Sequence, residues 1–264
     1  MGMIVMDENI KALAYKTVDS VARKVKKASK TDFNKFGNNM GLGADGTVTK
    51  YVDKLAEETA LNIINKSKTK VNVLSEEIGF IDNNAEYTFV LDPLDGTRNA
   101  YRGISFYSVS LAVGKSRLSD VKYGIVKNIP TGDVFLAEKG HGAFMNGKRI
   151  GVPEIPDKEP LSSLALGKNY DKTTIRLARK DKVRSLGSSS LEMCLVAIGG
   201  LDYFVIGKEY LRVIDIAAST LILREAGGIV TNILGEELDM PFNLDDRTSV
   251  VAACNMDIIK NIIK

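Results

Sequence analysis

An apolar run at Tyr87, Phe89, Val90 and Leu91 breaks into Asp92-Pro93-Leu94-Asp95-Gly96-Thr97. A strand that ends in two carboxylates three residues apart fixes what the surrounding fold must do. It must hold both acids at one turn beside whatever neutralises them. Acids at a strand end suit a hard divalent cation, and the Gly96 and Thr97 amides that follow can face a phosphate if a helix or turn begins there. Two further acidic signals sit at comparable places: Ser75-Glu76-Glu77 after the preceding apolar run, and Asp215 within Val213-Ile214-Asp215-Ile216-Ala217.

The remaining pattern predicts alternating helices and strands. Asp7 caps a helix whose Ile10, Leu13, Ala14, Val18, Val21, Ala22 and Val25 recur at three- and four-residue steps. Its other face, with Arg23, Lys24, Lys26, Lys27 and Lys30, reads as a solvated cationic face. Residues 32–48 are rich in Gly, Asn and Asp and predict a mobile loop of the kind that covers active sites. A second amphipathic helix is predicted near 52–66. Strands follow at 71–75, 87–92, 106–114, 121–127 and 133–138, with Gly124 and Gly140-His141-Gly142 as turn or bulge positions. Pro153, Pro156 and Pro160 mark a connector between an N-terminal lobe (1–152), which carries most of the acids, and a C-terminal α/β lobe (153–264). In the second lobe strands are predicted at 163–167, 182–186, 202–206 and 248–253, and helices at 190–199, 215–226 and from 256. The architecture is a layered α+β or α/β unit with mixed sheets.

Composition limits the chemistry. A chain of 264 residues with a net charge of +3 carries no charge mandate for nucleic acid or a membrane surface. Its single histidine, His141, and its two cysteines, Cys194 and Cys254, exclude the usual zinc sites and a Ser-His-Asp triad within this chain. Free thiols in apolar surroundings and the lack of an apolar leader-like run lead to the expectation of a cytoplasmic protein.

What remains is carboxylate and hydroxyl chemistry. Asp92 and Asp95 can share one Mg²⁺ and donate to a second, with the Leu94 carbonyl as a neutral ligand. Glu76 completes one ion and orients its water, and Asp215 completes the other. The Thr97 hydroxyl can position or relay the attacking water with Glu76. Asp45 and Asp53 are candidates for a third metal or for the Thr97 hydrogen bond. Each acid alone has a plainer reading: Asp-x-x-Asp-Gly as a turn, Asp215 as a helix N-cap, and Ser188-Ser189-Ser190 as an N-cap whose hydroxyls and amides could equally touch a sugar. The conjunction of acids points to a magnesium-dependent phosphomonoesterase.

These motifs resemble the inositol monophosphatase and fructose-1,6-bisphosphatase superfamily. Asp92 to Thr97 is similar to its central Asp-Pro-(Ile/Leu)-Asp-Gly-(Thr/Ser) motif, Glu76-Glu77 to its upstream acidic pair, and Val213 to Ala217 to its late aspartate segment. Glu225-Ala226-Gly227-Gly228 and Lys139 to Phe144 also look like landmarks of that family. The resemblance implies an α+β fold, a layered α-β-α-β-α sandwich, and a homodimer. It implies Glu76, Asp92, Leu94, Asp95 and Asp215 as ligands to two or three Mg²⁺ ions, with Mn²⁺ able to substitute. It also implies Gly96 and Thr97, with Arg184, Gly187, Ser188, Ser189, Lys208, Arg212, Asp95 and Asp215, as substrate contacts. Classical inositol phosphatases carry an acid near position 208. The lysine here suits a second phosphate, as on fructose 1,6-bisphosphate.

Three other readings compete. A nucleotide-phosphate phosphatase acting on NADP or a 3′-phosphoadenosine phosphate would share the metal site. A non-catalytic sugar-phosphate binding module would lack turnover. A haloacid-dehalogenase nucleophile motif needs one residue fewer between its aspartates and an early position in the chain.

Overall fold

The computed structural model describes residues 6–44, 46–153, 159–166 and 170–264. The chain opens with helix α1 (Glu8–Thr31), a short hairpin of β1 (Asn39–Leu42) and β2 (Val48–Lys50), and helix α2 (Tyr51–Asn65). Next come β3 (Asn72–Ser75), β4 (Gly79–Ile81), β5 (Thr88–Asp95), the short helix α3 (Thr97–Arg102) and β6 (Ser108–Gly114). Strands β7 (Tyr123–Asn128), β8 (Val134–Glu138), β9 (Gly142–Met145) and β10 (Lys148–Ile150) complete the first half. The second half runs through β11 (Leu161–Leu164), α4 (Lys172–Lys180), β12 (Lys182–Arg184), α5 (Ser189–Ala197) and β13 (Tyr203–Leu211). It ends with α6 (Val213–Glu225), β14 (Ile229–Thr231), β15 (Thr248–Ala253) and α7 (Met256–Ile263).

Among the described residues, β3 to β10 form one sheet in the order β10-β9-β8-β7-β6-β5-β3-β4, and β11 to β15 form another in the order β12-β11-β13-β15-β14. Only β3 with β5, and β11 with β12 and β13, pair in parallel. Side-chain alternation shows how the layers stack. On β5, Phe89 and Leu91 join the core beneath α1 and α2, whereas Val90 faces the opposite core with α5 and α6. On β13, Phe204 and Ile206 enter that same middle core, while Tyr203 and Val205 face α4 and α7. The result is an α-β-α-β-α sandwich held by three apolar clusters, the middle one covering both faces of the α5–α6 layer. Because both faces of β5 are covered, every residue from Thr88 to Asp95 is buried, including the two aspartates.

Several elements depart from the sequence expectation for identifiable reasons. Residues 39–42 and 48–50 pair as a hairpin, with a register shift between Asn39 and Gly41, rather than forming an irregular loop. The strand carrying the aspartates does not stop at Asp92. It bulges between Asp92 and Asp95 and re-pairs Asp95 with Ser108. Gly124 is no turn but lies within β7, where a Cβ would stand 2.8 Å from the Ala218 carbonyl oxygen, so α6 can lie directly on the sheet. Helix α4, missed by the pattern, links β11 to its parallel neighbour β12 and starts on an Asp171–Thr174 capping box. Helix α6 begins two residues before the expected start. Asp215 is then its third residue and accepts the Arg212 amide at 2.7 Å instead of occupying the cap itself. Part of the predicted connector, Pro156 included, lies outside the described residues. Among those residues no helix is long and apolar enough to cross a membrane.

Candidate active site

A cavity of about 510 Å³ opens where the ends of β3, β5 and β13 meet the starts of α3, α5 and α6. Its walls include Glu76, Asp92, Leu94, Asp95, Gly96, Thr97, Gly187, Ser189, Arg212 and Asp215, all singled out from the sequence, together with Asp53. Residues more than a hundred positions apart are gathered there because the first sheet and the α5–α6 layer share one core.

The acids of this cavity are held under electrostatic strain. Asp92 is 3% exposed, and burial, then the charges of Glu76, Asp95 and Asp215, push its carboxyl well above the ordinary aspartate value. Its Oδ1 accepts the Leu94 amide at 3.0 Å, which shapes the bulge. Asp95 is also raised by burial, against three opposing hydrogen bonds on its Oδ2. They come from Ser188 Oγ at 2.7 Å, the Ser190 amide at 2.8 Å and Ser190 Oγ at 2.5 Å. These bonds tie β5 of the first sheet to the start of α5. Arg212 donates to Glu76 at 2.8 Å and to Asp215 Oδ1 at 3.0 Å. Burial opposes its charge, but Asp215 and Glu76 hold it firmly protonated.

Beside the acids, Thr97 Oγ1 lies 2.7 Å from Asp53 Oδ1 and 3.1 Å from the Leu94 carbonyl oxygen. Asp53 is placed by accepting the Lys50 amide at the first turn of α2, at 2.9 Å. Burial pushes it up to about 6 although the Thr97 hydrogen bond pulls the other way. The hydroxyl expected to work with Glu76 is thus hydrogen-bonded to Asp53. Gly96 adopts φ +92°, and a Cβ there would stand 3.1 to 3.2 Å from Tyr107 Cβ and the carbonyls of Gly187 and Phe106. The turn into α3 can pack against the loop before α5 only without a side chain.

Other predicted residues fall elsewhere. Arg184 is exposed at the end of β12, where its guanidinium donates to the Val183 carbonyl. Lys208 is exposed on β13 with its Nζ 5.7 Å from the centre of the Tyr170 ring, and neither lines the cavity. Ser188 is buried and serves Asp95 instead of its own helix cap. Asp45 lies outside the described residues. His141 is exposed in its turn, and both cysteines are free and buried.

Sequence reasoning missed Lys50, Arg98 and Arg247, three cations on the cavity wall, and also Glu192, and it named Ser190 as a cap or sugar contact rather than as a partner of Asp95. Arg98 follows Thr97 directly and was findable from the motif. Arg247 comes from the loop before β15, where Asn243 Oδ1 accepts the amides of Asp245 and Asp246, and no motif announces it. Glu192 is 3% exposed and accepts the amides of Leu186 and Ser188 at 3.1 and 3.2 Å as well as the Ser163 hydroxyl. Burial raises it to about 7.

Among the described residues, no three Asp, Glu, His or Cys side chains are grouped as a single ion with three protein ligands would require. The donor chemistry nonetheless fits Mg²⁺. All the donors are hard oxygens, and burial together with the neighbouring carboxylates raises Asp92. Mg²⁺ is usually held by one or two carboxylates, with waters and substrate phosphates completing its shell.

A model of the inositol monophosphatase family matches residues 6–263. The fructose-1,6-bisphosphatase/inositol-1-monophosphatase of Methanothermobacter thermautotrophicus is 39% identical over 268 aligned residues, covering 96% of this chain and 95% of that protein. The bifunctional NADP phosphatase/NAD kinase of Methanococcus maripaludis is 36% identical over 264, covering 90% of this chain and 46% of that longer protein. A solved structure from Pyrococcus horikoshii, described as similar to inositol-1 monophosphatase, superposes with a TM-score of 0.82. It is 31% identical, with 97% of each chain covered.

Proposed function

We propose, from the premise that this chain belongs to the inositol monophosphatase family and is a phosphatase, that it hydrolyses inositol 1-phosphate and fructose 1,6-bisphosphate with Mg²⁺ as cofactor. The observation that carries this reading is the Thr97–Asp53 hydrogen bond set beside four carboxylates on one cavity wall. Glu76, Asp92, Asp95, Asp215 and the Leu94 carbonyl would hold the ions. When bound, Mg²⁺ supplies charge that offsets the phosphoryl oxygens and the leaving alkoxide, and it makes a water easier to deprotonate.

The chain's own groups do the rest. Thr97 Oγ1 donates its hydrogen bond to Asp53, so its lone pairs are free to accept one from the attacking water. Asp53, near 6, can take a proton passed through that hydroxyl at neutral pH and release it afterwards. The amides of Gly96 and Thr97 receive phosphate oxygens. Arg98 and Arg247 on the cavity wall suit a second phosphate, with Lys208 further out on β13. A second reading, hydrolysis of a nucleotide 2′- or 3′-phosphate, draws on the NADP phosphatase relative and on the exposed Tyr210 in the same wall, whose ring suits stacking on a base.

Phosphate release is to be measured on inositol 1-phosphate, fructose 1,6-bisphosphate, NADP and 3′-phosphoadenosine 5′-phosphate, with Mg²⁺ and with EDTA. Release from the first two that stops with EDTA supports the proposal. Release that persists in EDTA removes the metal assignment, and preference for the nucleotides selects the second reading.

A further inference from the structure

One buried acid near the cavity takes no part in the chemistry above. Glu57 lies one helical turn beyond Asp53 on α2 and is 4% exposed. Its Oε1 accepts Ser75 Oγ at 2.6 Å, and its carboxylate also accepts the backbone amides of Glu77 and Ile78. These donors all belong to the turn that joins β3 to β4, where Ser75 pairs with Gly79. The Glu57 side chain therefore sits beneath the turn as its acceptor, and Glu76, at the turn's first residue, lines the cavity. Glu77 carries the link onward. Its carboxylate accepts the Thr49 hydroxyl, and its carbonyl accepts the Ala44 amide at 2.9 Å, so the β1–β2 hairpin hangs from the same turn.

We propose that Glu57 is a positioning residue for the ion-binding carboxylate Glu76, fixing the 75–78 turn from below without touching substrate or ion. The inference rests on the reading of Glu76 as a metal ligand given above. A carboxyl suits this place because its two oxygens can accept from several donors at once. Glutamine keeps the shape, but its NH₂ group turns a donor toward amides that are themselves donors. The turn then has to shift, and Glu76 shifts with it. Groups that support metal ligands from behind act over such distances, and losing one costs about tenfold to a hundredfold in metal affinity or activity.

The experiment compares the full-length chain with Glu57→Gln, Ser75→Ala and Glu225→Ala. Glu225 serves as the structural control. At the far end of α6 it accepts the amides of Gly140 and Gly142, both at 2.8 Å, and lies outside the cavity wall. Calorimetric titration with Mg²⁺ in the absence of substrate is read beside thermal melting and steady-state kinetics. Glu57→Gln is expected to weaken Mg²⁺ binding by about tenfold or more and to lower kcat in step, and Ser75→Ala to do so by roughly threefold. Glu225→Ala is expected to lower Tm while Mg²⁺ affinity stays within about twofold. A folded Glu57→Gln with wild-type Mg²⁺ affinity overturns the proposal, as does a Glu225→Ala loss equal to that of Glu57→Gln. If Glu57→Gln does not fold, Ser75→Ala decides: unchanged affinity overturns the idea and a threefold loss supports it. A wild-type chain that neither binds Mg²⁺ nor releases phosphate sinks the proposed function itself. A working wild type with an indifferent Glu57→Gln sinks only this inference.

Discussion

Replacing Glu192 with glutamine tests whether burial or hydrogen bonding governs the acids behind the cavity. Glu192 receives three donors, the Ser163 hydroxyl and the amides of Leu186 and Ser188, yet burial still raises it from 4.5 to about 7. The folded chain therefore holds this proton more tightly than the unfolded chain. Its contribution to stability is complete below pH 4.5, is lost as pH rises toward about 7, and is flat above that. The span corresponds to about 3 kcal/mol at 1.36 kcal/mol per tenfold change in proton affinity. Glu192→Gln is neutral at every pH and should lack this slope. Its loss of one acceptor adds a pH-independent cost of about 1 kcal/mol. Urea unfolding in EDTA at pH 4.5 and pH 8 measures both chains, and subtracting one from the other cancels the titration of the remaining groups. The variant is expected to be slightly less stable at pH 4.5 and about 2 kcal/mol more stable at pH 8. A difference that stays constant between these pH values would show Glu192 ionised throughout and refute the dominance of burial.

Asp95→Asn should keep the fold, because an amide oxygen can still accept from Ser188 and Ser190 and one repelling charge is gone; phosphate release should nevertheless fall by about a hundredfold or more. Circular dichroism and the substrate panel check both parts, and near-normal turnover would remove Asp95 from the metal set. Thr97→Ala should lower kcat by roughly a hundredfold with little change in KM, since the Asp53 relay loses its hydroxyl; a pure KM effect would reassign Thr97 to binding. Lys208→Glu and Arg247→Glu should each harm fructose 1,6-bisphosphate hydrolysis more than inositol 1-phosphate hydrolysis, by about tenfold for Arg247 on the wall and less for Lys208 outside it. Equal losses on both substrates would remove the second-phosphate assignment.

Much of the fold was legible because burial leaves a periodic trace. The apolar positions of α1 from Ile10 to Val25 are buried as the spacing predicted, and β15 spans the predicted residues 248–253. What escaped was held by contacts that leave little local pattern. Strand β14 has only three residues, and β1 is exposed at all four positions and so has no buried face to betray it. Helix α4 buries only Thr174 and Leu177. Gly124 looked like punctuation because the helix that demands it lies nearly a hundred residues away.

The same division runs through the site. Local order alone pointed to the candidate groups for the chemistry: Asp92, Asp95 and Thr97 come on one segment, with Glu76 and Asp215 at element ends. Only the tertiary structure decided their partners. It gave Thr97 to Asp53, gave Asp95 to serines of the second half, set Arg212 between Glu76 and Asp215, and brought Arg247 to the wall while leaving Lys208 outside. The physical reason is range. Backbone periodicity and turn chemistry act over a few residues, whereas the charge and hydration that tune a buried carboxylate are set by neighbours that arrive only when two sheets close on one helical layer.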